Sequence, residues 1–181
     1  MSKPYIILSG LPGSGKTTTG RALATALDLP LIDKDDILER LFEAKGIGDA
    51  PWRRLLSREA DDILRREVLQ ANGAVAVSFW HLPGMPADSG TPTAWLQALP
   101  APLLNVHCVC APEVAARRFL GRRRHAGHLD ERRSLADVLE SLHQLDRLPP
   151  LDLQRRITID TSQAAPLDEI LRAAQTALGG G

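Results

Sequence analysis

What this sequence lacks excludes several classes of function. Formal net charge is zero, with 22 Lys+Arg against 22 Asp+Glu, so no global field draws the chain to DNA or to a membrane surface. No apolar run approaches 18 residues, the least that a membrane-spanning helix needs. The first motif begins as early as Gly10, which leaves no room for a basic-then-apolar leader, and a soluble cytoplasmic protein is expected. There are only two cysteines, Cys108 and Cys110. At positions i and i+2 of an apolar strand they share a face, and a metal site would need more ligands nearby. Two buried, reduced thiols are expected. Internal repeats and signs of a second domain are also missing, and 181 residues most simply make one domain over 1–181 with a full core.

What is present begins with residues 10–17, Gly-Leu-Pro-Gly-Ser-Gly-Lys-Thr. This is the phosphate-binding P-loop pattern G-x-x-x-x-G-K-T, in the context that such a loop requires. A short apolar run, Tyr5 to Leu8, precedes it, and a helical pattern with Ala22, Leu23, Ala26 and Leu27 on one face follows. Gly10, Gly13 and Gly15 can take backbone angles closed to other residues. Successive N–H groups of Leu11, Ser14 and Thr18 and their neighbours can then turn inward at a helix N-terminus and hold an anion. The helix end adds roughly half a positive charge. Lys16 is expected to reach the β- and γ-phosphates of ATP, and the Thr17 hydroxyl to ligate Mg²⁺. Pro12 completes the nucleotide-binding set.

Five short apolar segments alternate with helical patterns. Strands are expected near 4–9, 29–32, 74–79, 103–110 and 157–160. Helices are expected near 16–27, from Asp33 onward, and near 52–71, 93–98, 112–124, 134–147 and 166–178, with a frayed Gly tail at 179–181. In the 52–71 helix, Leu55, Leu56, Ala60, Ile63, Leu64 and Val68 are expected inside and Asp61 outside. In the 134–147 helix, Leu135, Val138, Leu139, Leu142 and Leu145 are expected inside. The pattern is α/β: a three-layer P-loop NTPase fold, with a five-stranded parallel sheet and helices on both faces. The strand-end rule places the site at the carboxyl edge of that sheet.

Two further groups fall at that edge. Asp33, Asp35 and Asp36 follow the second strand. In extended chain, Asp33 and Asp35 point the same way about 7 Å apart, a spacing that suits one carboxylate at the metal and one at an acceptor hydroxyl. The alternative is that Asp33 simply caps the next helix, with Asp36 three residues on. At the end of the third strand stand Ser78, Phe79, Trp80 and His81. There Trp80 could wall an acceptor pocket and Ser78 or His81 could bond a hydroxyl, or Phe79 and Trp80 could belong to the core. The Pro/Gly-rich stretch 82–93 is expected to border the same pocket.

Leu31-Ile32-Asp33-Lys34-Asp35-Asp36-Ile37 after a P-loop resembles the small P-loop kinases that phosphorylate metabolites, such as shikimate and gluconate kinases. It is also similar to the broad family of AAA-type small-molecule kinases that includes chloramphenicol phosphotransferase and polynucleotide kinase. The resemblance implies Mg²⁺ work for Asp33 and acceptor-hydroxyl work for Asp35. Arg58-Glu59 is similar to the substrate-binding region of shikimate kinase. The segment from Pro112 to Arg124 resembles the pre-lid and lid of these kinases, which implies Arg118 near the adenine and Arg122 at the phosphates, in a lid over about 118–134 whose mobile tip is His125 to His128. Such an arginine is worth roughly 10³ to 10⁵ in rate. Read without the resemblance, seven arginines between Arg117 and Arg133 could equally form a solvated face or an RNA-binding patch. Asp160-Thr161-Ser162 falls where the family contacts the adenine. The chain departs from shikimate kinases at strand 3, where Ser78-Phe79-Trp80-His81 stands in place of a Gly-Gly-Gly turn, and it lacks a Walker B Asp there.

These features together imply an enzyme that uses ATP and Mg²⁺ to phosphorylate a hydroxyl of a small molecule, with Lys16, Asp35 and Arg122 as catalytic groups. Two other readings stand beside it. One is a 5′-hydroxyl polynucleotide or nucleotide kinase, against which neutral net charge argues. The other is a nucleotide-binding switch without phosphotransfer, whose GTPase version is weakened by the absence of N-K-x-D.

Overall fold

The computed structural model describes residues 3–100, 102–130 and 133–179. Its strands are β1 (Tyr5–Gly10), β2 (Leu31–Asp33), β3 (Ala74–Val77), β4 (Leu103–Val109) and β5 (Arg156–Asp160). Its helices are α1 (Lys16–Ala26), α2 (Lys34–Lys45), α3 (Ala50–Gln70), α4 (Pro112–Gly121), α5 (Leu135–Asp146) and α6 (Leu167–Gly179). All strands pair in parallel, in the order β2-β3-β1-β4-β5. The expected α/β sheet with helices on both faces is therefore present. No described helix is long and apolar enough to cross a membrane.

The sheet forms because its central strands are apolar on both sides. Ile6, Ile7 and Leu8 of β1 are wholly buried, as are Ala74, Val75 and Ala76 of β3. This is the run-type pattern of a strand covered above and below. Alternate side chains feed two different cores. Ile7 packs with Ile32, Leu38, Phe42, Leu56 and Leu64 under α2 and α3. Ile6 and Leu8 pack with Leu23, Val106 and Ile170 under α1 and α6. Each such side chain contributes about 1.5–3 kcal/mol by leaving water, so β1 is held in register and the loop at its end starts from a fixed point. A third cluster, Ala115, Ala116, Phe119, Val138 and Leu142, joins α4 to α5. β1 lies between β3 and β4; the chain leaves β1 for β2 on one side, and after β3 it crosses to β4 on the other. The crevice at their carboxyl ends is where such sheets bind ligands.

Several local expectations need correction. Leu55 is 59% exposed and Leu135 is 50% exposed, whereas Asp61 is buried. Leu55 sits one residue, about 100°, off the stripe led by Leu56. Leu135 opens α5 directly after the Ser134 cap, at an end that reaches solvent. Asp61 lies three residues before buried Leu64 and seven before buried Val68, so helical period carries it inward and ion pairs accommodate it there. Strand β3 stops at Val77 instead of near 79, and α4 stops at Gly121 because Arg122 is already extended (φ −84°, ψ 140°). Of the expected loose tail, Gly179 closes α6, while Gly180 and Gly181 lie outside the described residues. Both cysteines are free and buried, as the sequence implies.

Candidate active site

The P-loop leaves β1 at Gly10 and enters α1 at Lys16. Its backbone needs glycine twice over. Gly10 and Gly13 have φ of +132° and +83°, and a Cβ at Gly13 would run into the Ala115 carbonyl of α4. Gly15, also at positive φ, stands at the N-cap of α1 with no side-chain cap, which leaves the first N–H groups of the helix for an anion. Lys16 Nζ folds back over the loop and donates to Gly10 O (3.0 Å) and Leu11 O (2.8 Å). Burial pulls its ammonium down to about 8, so it is still cationic at neutral pH.

Asp33 ends β2 and caps α2, accepting from Asp35 N at 2.9 Å. Its other oxygen accepts from the Thr17 hydroxyl at 2.7 Å. The capping reading is thus present, and the cap points the second oxygen across at the P-loop. Burial pushes the Asp33 carboxyl up to about 6, against the lowering effect of the Thr17 bond. Asp35 is in the first turn of α2, with its side chain 43% exposed in the cleft. Burial also pushes Asp35 up, but the Arg124, His128 and Arg122 charges outweigh it and hold the carboxyl below the ordinary range.

A cleft of about 920 Å³ runs along the carboxyl edge. Its donor end is lined by Pro12, Gly13, Gly15, Lys16, Thr17 and Thr18, with Arg118 and Arg122. Gly10, Leu11 and Ser14 lie behind that surface; Leu11 lines a smaller cavity at the ends of β1 and β4. Arg118 donates to Thr161 O (2.7 Å) and Ser162 O (3.0 Å), and Thr161 Oγ1 in turn lies 2.7 Å from Ser14 O. Arg118 and Thr161 thus clamp the loop after β5 to the back of the P-loop. The Arg122 guanidinium sits 5.0 Å over the Phe119 ring.

Of the residues expected at an acceptor, Asp35, Arg58 and Ser78 line the cleft, but Trp80 and His81 do not. Trp80 is buried in the core, donates from Nε1 to Leu8 O at 2.7 Å and packs on Trp95. His81 Nδ1 faces Ser89 O at 2.7 Å inside the 82–93 loop. The expected pocket wall at Trp80 is thus a core prop, because Thr91 bridges back to the chain just beyond β3 (Thr91 N to Phe79 O, 2.7 Å) and turns the loop over it. Arg58 is committed as well: it donates to Asp61 (3.2 Å), to Gly90 O (3.1 Å) and to Asp88 O.

Residues that the sequence reading missed complete the site. Arg124 bridges Asp35 and Asp130, at 2.6 Å each. Lys34 pairs with buried Asp61 at 2.5 Å, and Thr91 Oγ1 donates to the same Asp61 oxygen at 2.6 Å and meets Ser78 Oγ at 2.6 Å. This network ties α2, α3, the 82–93 loop and β3 together around the acceptor end. The Arg58/Asp61 spacing of i, i+3 was a readable signal; the Lys34 and Thr91 partners were not. The lid tip, expected to be mobile, is packed on α2. His125 stacks on Phe42 at 5.3 Å, His128 meets its edge at 5.5 Å, and His128 Nε2 lies 3.0 Å from Glu39.

The donor set fits Mg²⁺. The Thr17 hydroxyl and the Asp33 carboxylate, 2.7 Å apart, are hard oxygen ligands of the kind that ion takes alongside water and phosphate oxygens. The raised Asp33 carboxyl is a buried oxygen whose charge a cation would compensate.

A family model described as an AAA domain matches residues 6–148. A shikimate kinase of Corynebacterium glutamicum is 38% identical over 78 residues, 42% of this chain and 46% of that one; the chain thus spans about half the length of the first curated relatives it matches. A protein of Chloroflexus aurantiacus J-10-fl described as a candidate kinase superposes with a TM-score of 0.79 and 29% identity, over 99% of this chain and 98% of that one. A gluconokinase of Sinorhizobium meliloti 1021 shares the fold, with a TM-score of 0.58 and 21% identity over 99% and 93%.

Proposed function

Because the chain belongs to the AAA domain family, through residues 6–148, we propose that it is an ATP-dependent phosphotransferase that moves the γ-phosphoryl group to a hydroxyl of a small molecule. The observation that carries this reading is the joining of two half-sites through one short segment. Asp33 bonds Thr17 of the P-loop, and Asp35, two residues on, faces the other half of the cleft. A nucleotide switch needs the first half only. The matches to a shikimate kinase and to the fold of a gluconokinase support the same reaction class, and the two names together leave the acceptor open.

In the proposed reaction the P-loop amides and Lys16 hold the phosphates. Mg²⁺, held by Thr17 and Asp33 with the nucleotide, would neutralise charge on the phosphate oxygens. Asp35 orients the acceptor hydroxyl. The acceptor oxygen forms a bond to the γ-phosphorus, the bridging bond to the β-phosphate breaks, and the hydroxyl proton passes to Asp35 as ADP leaves. A carboxylate of low pKa is a weak base, but a loose phosphoryl transition state asks little of its base until late. Arg122 at the donor end compensates charge on the transferring group, while Arg118 holds the loop after β5 against the P-loop. Together the P-loop amides, Lys16 and Arg122 act as a preorganised electrostatic frame.

The test is incubation with Mg·ATP and a library of metabolites and antibiotics, read by mass spectrometry for the gain of one phosphoryl group. Asp35→Asn is expected to keep nucleotide binding and to lower kcat by orders of magnitude. Unchanged turnover in that variant removes Asp35 from the mechanism.

A further inference from the structure

Ser78 is set apart at the carboxyl edge by what its hydroxyl is left able to do. It follows Val77, which pairs with Asp33 in the parallel register of β2 and β3. It therefore stands beside the strand end from which Asp33 and Asp35 emerge, and both Ser78 and Asp35 line the cleft. Ser78 also opens the segment that departs from the Gly-rich turn of shikimate kinases, so the likeness to those enzymes assigns its hydroxyl no role.

A chain of buried hydrogen bonds sets the direction of its one proton. A hydroxyl can donate once and accept twice, an ionised carboxylate only accepts, and an ammonium only donates. Asp61, at the far end of the chain, carries two cations, Lys34 at 2.5 Å and Arg58 at 3.2 Å. It has no proton to give, so Thr91 Oγ1, 2.6 Å away, donates its own to Asp61 Oδ1. Lys34 Nζ donates to Thr91 Oγ1 at 3.1 Å. Ser78 Oγ lies 2.6 Å from the same Thr91 oxygen, and two oxygens that close share a proton. Thr91 has none left, so Ser78 is the donor. Thr91 Oγ1 is then complete, with one bond given and two accepted. Ser78, Thr91 and Asp61 are all buried, so bulk water offers Thr91 no other partner. Ser78 Oγ has no further hydrogen-bond partner among the described residues. What Ser78 offers a ligand is therefore lone pairs and no proton. An O–H or N–H group bonds there, whereas a carbonyl, ether, carboxylate or phosphate oxygen gives up its water and gains nothing in return.

We propose that Ser78 is a specificity-determining residue that only accepts a hydrogen bond from the acceptor molecule, so that the substrate presents a second O–H or N–H group beside the hydroxyl that is phosphorylated, and not a carbonyl, ether or anionic oxygen. Thr91 is the positioning residue that fixes this polarity, through Asp61. The proposal rests on the phosphotransferase reading for calling the bound molecule an acceptor, but the direction of the Ser78 proton does not.

Two measurements test it. In the first, neutron diffraction from crystals of the nucleotide-free protein in D₂O locates the hydroxyl deuterons. The Ser78 deuteron is expected on the line to Thr91 Oγ1 and the Thr91 deuteron on the line to Asp61. A Ser78 deuteron directed into the cleft overturns the proposal. In the second, the acceptor that the library screen yields is compared with its analogues in which each other O–H or N–H group is replaced by O-methyl or by a carbonyl. For one such group both analogues are expected to lose roughly tenfold or more in kcat/KM. Ser78→Ala is expected to abolish that discrimination and Thr91→Val, which frees the Ser78 proton, to admit the carbonyl analogue in preference to the O-methyl one. Both variants should keep KM for ATP within about twofold of the parent, because neither side chain is part of the P-loop. An acceptor with no second O–H or N–H group, or discrimination that survives in Ser78→Ala, overturns the proposal. If nothing is phosphorylated, the phosphotransferase reading fails while the neutron map still decides the polarity of Ser78.

Discussion

Asp33→Asn is expected to stabilise the protein while weakening the Mg²⁺ binding proposed for Asp33. The Asp33 carboxyl is raised from 3.8 to about 6, chiefly by burial. A group whose folded pKa is raised contributes stability that is complete below the unfolded value and is lost as pH climbs through the folded value. The window is therefore about pH 4 to 6, and above it the ionised carboxylate costs the fold about 3 kcal/mol, at about 1.4 kcal/mol per pKa unit. Asparagine can keep both contacts: its carbonyl oxygen can accept from Asp35 N, and its amide can donate to Thr17 Oγ1 in place of accepting. The variant avoids the ionisation cost without losing the helix cap. For a chain of this size about 1 kcal/mol moves Tm by roughly 2–4 °C, so a gain of roughly 6–12 °C at pH 7.5 is expected.

The assay is calorimetric or urea unfolding of both proteins between pH 4 and 8, in EDTA and without nucleotide. The two curves should converge near pH 4 and separate through pH 6. Adding Mg²⁺ and nucleotide should reverse the order, because only the carboxylate gains from the cation. A variant that is less stable at pH 7.5 in EDTA, or a difference that does not change between pH 4 and 7.5, refutes the assignment of Asp33 as a buried carboxylate in wait of a metal.

Other expectations follow from the same contacts. Asp61→Leu leaves Lys34 buried and unpaired and should cost about 3–5 kcal/mol in urea unfolding; adding Lys34→Met should return most of that loss, whereas additive losses in the double variant would show that the pair is not coupled. Trp80→Phe removes the bond to Leu8 O and should cost about 1–3 kcal/mol while leaving the acceptor KM unchanged. A changed acceptor KM with unchanged stability would restore Trp80 to the pocket wall.

Legibility in the sequence followed how local the cause was. The P-loop was readable because its conformation is set within eight residues by glycine, a strand before and a helix after. The sheet was readable because burial on both faces forces runs such as Tyr5 to Leu8 and Ala74 to Val77. Asp33 was readable as the cap of α2 and as a carboxylate turned to the P-loop because both depend only on the β2–α2 junction: extended backbone at the cap and a helix starting at Lys34. The acceptor end was less readable, because its chemistry depends on which charge meets which across distant segments. Arg58 and Arg124 look alike in sequence, as do Asp61 and Asp62. Helical period carries Asp61 inward, but only the fold brings Lys34 and Thr91 to it, and that contact commits Arg58 and settles the 82–93 loop over Trp80. Arg124 likewise becomes the partner of Asp35 because α4 ends early at Gly121 and the extended chain beyond it reaches α2.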